Sequence, residues 1–125
     1  NLRYVDQVMA KRKQQCEYYD QKLAVLPMRK PAEPDHCDLN FIYYPIILES
    51  ENLMLKIYEE LEKNEVFTRR YFYPPLTTLS YVPKTPVPNA EDISRRILCL
   101  PLYHTLSQAE QDMIVRIILR TYRYK

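Results

Sequence analysis

The sequence predicts an α/β domain with a small sheet covered by helices, on three observations. Helical apolar spacing alternates along the chain with short β-branched and aromatic runs, in the order helix, strand, helix, strand, loop, helix, strand, helix. At 125 residues the chain has about the size of one domain, enough for one core but not two. A hydrophobic fraction of 46% and a charged fraction of 27% are those of an ordinary globular protein rather than a disordered one.

From Leu2 to about Leu23, the positions Leu2, Val5, Met9, Cys16, Tyr19 and Leu23 follow a three-four spacing, with Arg12 on the missing step. That pattern is a long amphipathic helix with a narrow seam. Lys11, Arg12, Lys13, Gln14 and Gln15 then read as its solvated face, with a basic recognition surface as the alternative. Pro27 ends the helix, and Met28 to Asp38, with Pro31 and Pro34, reads as a connection. Phe41 to Leu48 is aromatic and β-branched, hence a strand covered on both faces, in which Pro45 demands an edge or a bulge. Ser50 caps a helix to about Lys63 whose buried stripe is Leu53, Met54, Ile57, Tyr58 and Leu61. Asn64 is the expected stop, because asparagine tolerates the left-handed conformation. A second strand is expected from Val66 to Tyr73, ended by Pro74-Pro75, and a proline-rich loop follows to Pro88. Asn89 opens a short helix over Ala90 to Ile97, and Leu98 to Leu102 reads as an apolar strand. Ser107 and Glu110 form a capping box for the last helix, which carries Met113, Ile114, Ile117, Ile118 and Tyr122. Neighbouring strands are expected to be antiparallel at least in part.

Several functions are excluded by composition. There is no glycine, so the Walker loop, the Rossmann fingerprint and the nucleophile elbow are all ruled out. A net charge of +2 spreads too little field for nucleic-acid wrapping. No apolar run approaches the roughly 18 to 20 residues of a membrane span. Cys16, Cys37 and Cys99 make an odd count without a close pair, which fits reduced thiols and a cytoplasmic setting. His36 and His104 each lack a second ligand at metal spacing, so no metal site is expected. The chain starts at Asn1 with helical spacing already running, and is expected to be part of something longer.

The densest chemical cluster is Arg69-Arg70-Tyr71-Phe72-Tyr73-Pro74-Pro75. On strand alternation Arg69, Tyr71 and Tyr73 share one face, and Arg70 and Phe72 the other. A cation and two phenols on one face suit a phosphate or a sugar, and they suit solvent equally well.

The run LEKNEVFTRRYFYPPL, followed by NAEDISRRILCLPLYHTLSQAEQDMIVRII, resembles the C-terminal part of the DegT/StrS family of nucleotide-sugar aminotransferases. The opening LRYVDQVMAKRKQQCEYYDQKL, with Arg12 and Tyr19, is similar to the long helix that links that family's two domains, and NFIYYPIIL to a strand of its small domain. The resemblance covers essentially the whole chain. It implies the C-terminal small domain of a fold-type-I enzyme that uses pyridoxal phosphate and moves an amino group, usually from glutamate, to a keto sugar on a nucleoside diphosphate. It also implies a homodimer, residues 1–24 as the interdomain helix, and a cofactor lysine in the larger N-terminal domain. No lysine here matches that lysine, so neither transamination nor cofactor binding is expected of these 125 residues alone.

Carried over position by position, Tyr73 and Pro74 match the family's Tyr-Pro at the border of the sugar-nucleotide pocket, which makes Tyr73 the first candidate contact. Tyr71, Arg69 and Arg70 follow; the two arginines fit a diphosphate by charge and equally fit pairing with helix glutamates. Phe72 and Thr77 stand where the family has histidines, and the Tyr71-Phe72-Tyr73-Pro74 form implies substrates of the 4-keto-6-deoxy class. Glu65 replaces a glycine, which predicts a strained or rearranged turn. The different-class alternative is a non-catalytic binding or dimerisation module whose aromatic and proline-rich surface takes a peptide or RNA.

Overall fold

The computed structural model describes residues 2–27, 43–70, 88–103 and 105–124. Its elements run α1 (Leu2–Leu23), β1 (Tyr44–Ile47), α2 (Glu51–Lys63), α3 (Pro88–Arg96), β2 (Ile97–Leu100) and α4 (Gln108–Arg123). The predicted class, a small sheet under helices, is the one observed. β1 and β2 pair antiparallel, from Tyr44 opposite Leu100 to Ile47 opposite Ile97.

The register explains how a proline sits inside β1. Pro45 faces Cys99, and Cys99 uses both its N–H and its C=O on the other side, donating to Arg69 O at 2.9 Å and accepting from Arg69 N at 3.2 Å. The Pro45 and Cys99 positions therefore form a pair that exchanges no hydrogen bonds, and the missing proline N–H costs nothing in the ladder. The next bonded position beyond the strands carries Leu48 N to Arg96 O at 3.1 Å, in step with that alternation.

The strand expected from Val66 to Tyr73 is reduced, within its described part, to one bridge between Arg69 and Cys99. The same register two residues earlier sets Phe67 opposite Pro101, which has no N–H to give. Val66 N is in turn committed to Leu61 O at 2.8 Å. Alternation nonetheless persists: Val66 and Thr68 are buried, while Phe67 and Arg69 are exposed.

Helix boundaries follow the local chemistry. Ser50 caps α2 by accepting from Leu53 N at 3.1 Å. The left-handed residue after α2 is Glu65, at φ 62, and not Asn64, which lies at φ −99. Glu65 N donates to Glu62 O and Val66 N to Leu61 O, the paired bonds of a Schellman turn, with Val66 and Leu61 both buried behind it. α3 begins at Pro88, earlier than Asn89 predicts, because proline's missing N–H is no loss in a first turn. It runs straight into β2, which starts at Ile97 and stops before Pro101. Arg96 holds that junction, with Nη1 on Leu48 O at 2.7 Å and Nη2 on Asp92 at 2.8 Å.

One apolar cluster draws on α1, β1, α2, β2 and α4, with Tyr19, Ile46, Met54, Ile57, Leu98, Ile114 and Ile118 nearly sealed from solvent. α4 packs on both α1 and α2. The seam of α1 is correct only in its second half. Val5, expected in the seam, is 50% exposed, while Gln15, expected in solvent, is buried. α4 meets α1 through its own first turns, at Gln111 and Asp112, which reach Gln15 and Tyr18 and leave the start of α1 uncovered.

The Glu65→Gly substitution is expected to stabilise the domain by about 0.5–1 kcal/mol. Relief of about 1–2 kcal/mol of left-handed backbone strain exceeds the entropy that glycine adds to the unfolded chain. A rise in the denaturation midpoint at unchanged slope is the measurement, and an unchanged or lower midpoint contradicts the account.

Candidate functional site

A cavity of ≈ 470 Å³ opens between α1 and the end of β2. Arg12 of α1, Tyr43 before β1, Phe67 and Arg69 before and at the bridge, and residues 99–103 line it. Each wall is there for a local reason. The bridge to Cys99 fixes Arg69 at the rim, and strand alternation turns Phe67 to the same side. Arg12 lies one helical turn before Gln15 and Cys16, where the buried part of α1 begins, and is itself half-buried.

The far wall, Pro101 to Tyr103, is held by α1 and α4. Tyr19 OH donates to Pro101 O at 2.8 Å. Gln15 Nε2 donates to Tyr103 O at 2.7 Å and to Leu106 O at 3.1 Å. Gln111 Nε2 returns a bond to Gln15 O at 3.0 Å. Ser107 and Glu110 form the predicted capping box, and the second oxygen of Glu110 accepts from Tyr103 OH at 3.3 Å. Tyr18 OH donates to Asp112 Oδ1, and Tyr44 OH to Asp20 Oδ1 at 2.6 Å, tying α1 to α4 and to β1.

These contacts set the titration of the groups. Partial burial, and then the Glu110 carboxylate, raise the Tyr103 phenol above its ordinary value. The Ser107 backbone N–H, and then its hydroxyl, hold Glu110 below its ordinary value. Desolvation pushes Tyr19 and Tyr44 far up, so both remain neutral phenols in the fold. The cavity itself has two guanidiniums and no carboxylate among its described lining residues, a composition that suits an anion.

Of the sequence candidates, Arg69 lines this cavity. Arg70 is half-buried on the opposite side of the segment, away from Arg69. Tyr71 and Tyr73 lie outside the described residues, as do Phe72, Thr77, His36, Cys37 and His104. Sequence reasoning missed Arg12, Tyr43, Phe67 and Tyr103 as cavity walls. The break in the α1 seam at Arg12 was the available signal for one of them.

None of the described lysines is buried: Lys13, Lys22, Lys56 and Lys63 are exposed and Lys11 is half-buried. The described residues thus do not fit a pyridoxal-phosphate seat of their own, which needs a lysine amine lowered by desolvation. Among them no group of three or more metal-ligating side chains gathers, and no helix is long and apolar enough to cross a membrane.

Comparison with known proteins places this geometry. The family model of the DegT/DnrJ/EryC1/StrS aminotransferase family matches residues 1–119. The chain is 30% identical over 124 residues to dTDP-4-amino-4,6-dideoxy-D-glucose transaminase of Shigella dysenteriae, covering 94% of this chain and 34% of that relative. It therefore spans about a third of the length of that protein. The aminotransferase TlmJ from Streptoalloteichus hindustanus shares the fold with a TM-score of 0.88 at 24% identity, over 98% of this chain and 34% of that one. The PLP-form of Spr1654 from Streptococcus pneumoniae, named a sugar aminotransferase, does so with a TM-score of 0.81 at 22% identity, over 94% of this chain and 32% of that one.

Because Glu110 is more acidic in the fold than in the open chain, its stabilising contribution is present above the ordinary value of 4.5 and lost as the pH falls through the lower folded value. Glu110→Gln is expected to flatten the acid side of the melting-temperature profile. Parallel profiles for the two proteins below pH 4.5 would contradict this.

Proposed function

The chain belongs to the DegT/DnrJ/EryC1/StrS aminotransferase family, and on that premise we propose that it is the C-terminal small domain of a pyridoxal-phosphate enzyme that aminates a nucleotide-linked keto sugar. In this reading residues 1–24 form the helix joining it to the cofactor-holding domain. The amino donor is a glutamate-type amino acid, the working protein is a cytoplasmic homodimer, and the product is an amino sugar. The observation that carries the reading is the family match over 119 residues joined to a relative named for a dTDP-amino sugar.

The cofactor, when bound, supplies the electron sink for moving the amino group. The part given to this chain is to bind and orient. Arg69 stands at the rim of a cationic cavity and offers planar, always-charged donors that suit phosphoryl oxygens. On the family resemblance Tyr73 is the first further candidate for contact with the sugar nucleotide, followed by Tyr71 and Arg70. The Tyr103 hydroxyl, whose proton goes to Glu110, leaves its oxygen at the cavity as an acceptor for a sugar or ribose hydroxyl.

Two outcomes are expected of the full-length protein. It takes up pyridoxal phosphate with a visible absorbance band that disappears on adding glutamate; a full-length protein that never binds the cofactor refutes the reading. Tyr73→Phe lowers kcat/KM for the sugar nucleotide about tenfold, the loss of one hydrogen bond of about 1.5 kcal/mol. Unchanged kinetics would remove Tyr73 from the substrate edge.

A further inference from the structure

Three backbone carbonyls of the stretch that follows β2 are held by side chains of α1. Tyr19 OH donates to Pro101 O at 2.8 Å, and Gln15 Nε2 donates to Tyr103 O at 2.7 Å and to Leu106 O at 3.1 Å. Both donors are sealed from solvent, Tyr19 at 0% and Gln15 at 2% exposure. The stretch they hold is more open: Pro101 and Leu102 are half-buried, and Tyr103 and Thr105 are exposed. Carbonyls on such a stretch can be satisfied by water, whereas a glutamine amide in an apolar seam is costly unless its bonds are made. An apolar residue at position 15 would serve packing better, so the bonds point to placement of the stretch.

That placement concerns the cavity between α1 and the end of β2. Arg12, Gln15 and Tyr19 follow one another at steps of three and four residues and so share one face of α1. Arg12 lines the cavity, and Tyr19 and Gln15 hold Pro101 and Tyr103, which line it too. One helix face thus supplies one wall and fixes another. The wall at Phe67 and Arg69 has a different support, the bridge from Arg69 to Cys99 of β2. Gln111 Nε2 donates to Gln15 O at 3.0 Å and so seats this turn of α1 on α4.

We propose that Gln15 and Tyr19 are positioning residues: they hold the Pro101–Tyr103 wall to α1, so that the affinity of the cavity for its ligand depends on the seat of this helix. The proposal rests on the reading of a nucleotide-linked substrate and adds no contact to that substrate. A wall released from α1 samples other positions, and the apparent affinity falls by the fraction of time the wall is in place. The coupling is reciprocal, so a ligand that needs the wall in place also steadies α1. Where α1 joins this domain to a cofactor-holding one, the helix links the setting of the wall to the setting of that domain.

The experiment compares Gln15→Met, Tyr19→Phe and Tyr18→Phe with the wild type, all as full-length protein. Tyr19→Phe keeps the buried ring and removes only the hydroxyl bonded to Pro101 O. Tyr18→Phe is the control, since it breaks a tie from α1 to Asp112 of α4 that does not reach the wall. Two quantities are read: hydrogen exchange at the Leu102, Tyr103 and Leu106 amides, and calorimetric affinity for thymidine diphosphate as the probe. Gln15→Met and Tyr19→Phe are expected to speed the exchange and to weaken the probe about threefold to tenfold, roughly the worth of one hydrogen bond. Tyr18→Phe is expected to lower the melting temperature and leave both readings unchanged.

Unchanged affinity in both wall variants overturns the proposal, even with faster exchange, because the bonds would then serve the fold alone. So does an equal loss of affinity in Tyr18→Phe, which would trace the effect to a general loosening of α1. Should Gln15→Met fail to fold, Tyr19→Phe decides. A wild type that binds no probe, with exchange raised in the wall variants and not in the control, upholds the grip of α1 on the wall and refutes the nucleotide-sugar reading.

Discussion

Cys99 is the residue through which the sheet and the cavity are joined. Its backbone N–H and C=O both go to Arg69, so it has none left for β1, and β1 meets that vacancy with a proline that needs none. The pairing is thereby locked in register, since a slip of one residue would set Pro45 at a bonded position and turn Ile46 out of the core. The same two bonds fix where Arg69 stands. Sheet register and the position of a candidate anion-binding residue are thus a single constraint, expressed once in packing and once in chemistry.

The second support of the site is the clasp between α1 and α4. Gln111 donates its side-chain amide to the buried Gln15 backbone carbonyl, and the Gln15 side chain in turn satisfies two carbonyls of the segment between β2 and α4. Segments of that kind run over a surface unless side chains complete their backbone groups, and here a helix from the other end of the chain does so. Tyr103 is fixed at both ends as a result, its carbonyl by Gln15 and its hydroxyl by Glu110. A cavity wall made from an irregular segment gains the definition of one built on a helix.

Much of this was legible in the residues. Helix spans followed from apolar spacing and caps: Leu2–Leu23, Ser50 ahead of α2, and the Ser107–Glu110 box were all read from order alone. What escaped is tertiary in cause. Gln15 looks like a surface residue until the carbonyls of Tyr103 and Leu106 are brought to it, and Val5 looks like a core residue until α4 proves to meet only the second half of α1. The Val66 strand had the right composition, but its partner presents Pro101 where a donor is needed. The left-handed turn was foreseen in kind but set one residue early, because asparagine's tolerance is a propensity while the paired carbonyls of Leu61 and Glu62 are a geometric demand. The cavity was half visible: Arg69 stood in a conspicuous motif, whereas Arg12, Tyr43 and Tyr103 come from segments that only the fold assembles.

The Gln15 and Gln111 clasp also bears on how the chain reaches this state. Its bonds span separations of 91 and 96 residues in a chain of 125. Closure over such a distance carries an entropic cost that local contacts do not, and it cannot begin on the ribosome until α4 has emerged. Through most of synthesis α1 therefore carries Gln15, Tyr19 and Leu23 without the surface that will cover them. The order of events is set by that geometry: α2 can consolidate early from local contacts and its Ser50 cap, whereas α1 is locked in place only once α4 is present to meet it.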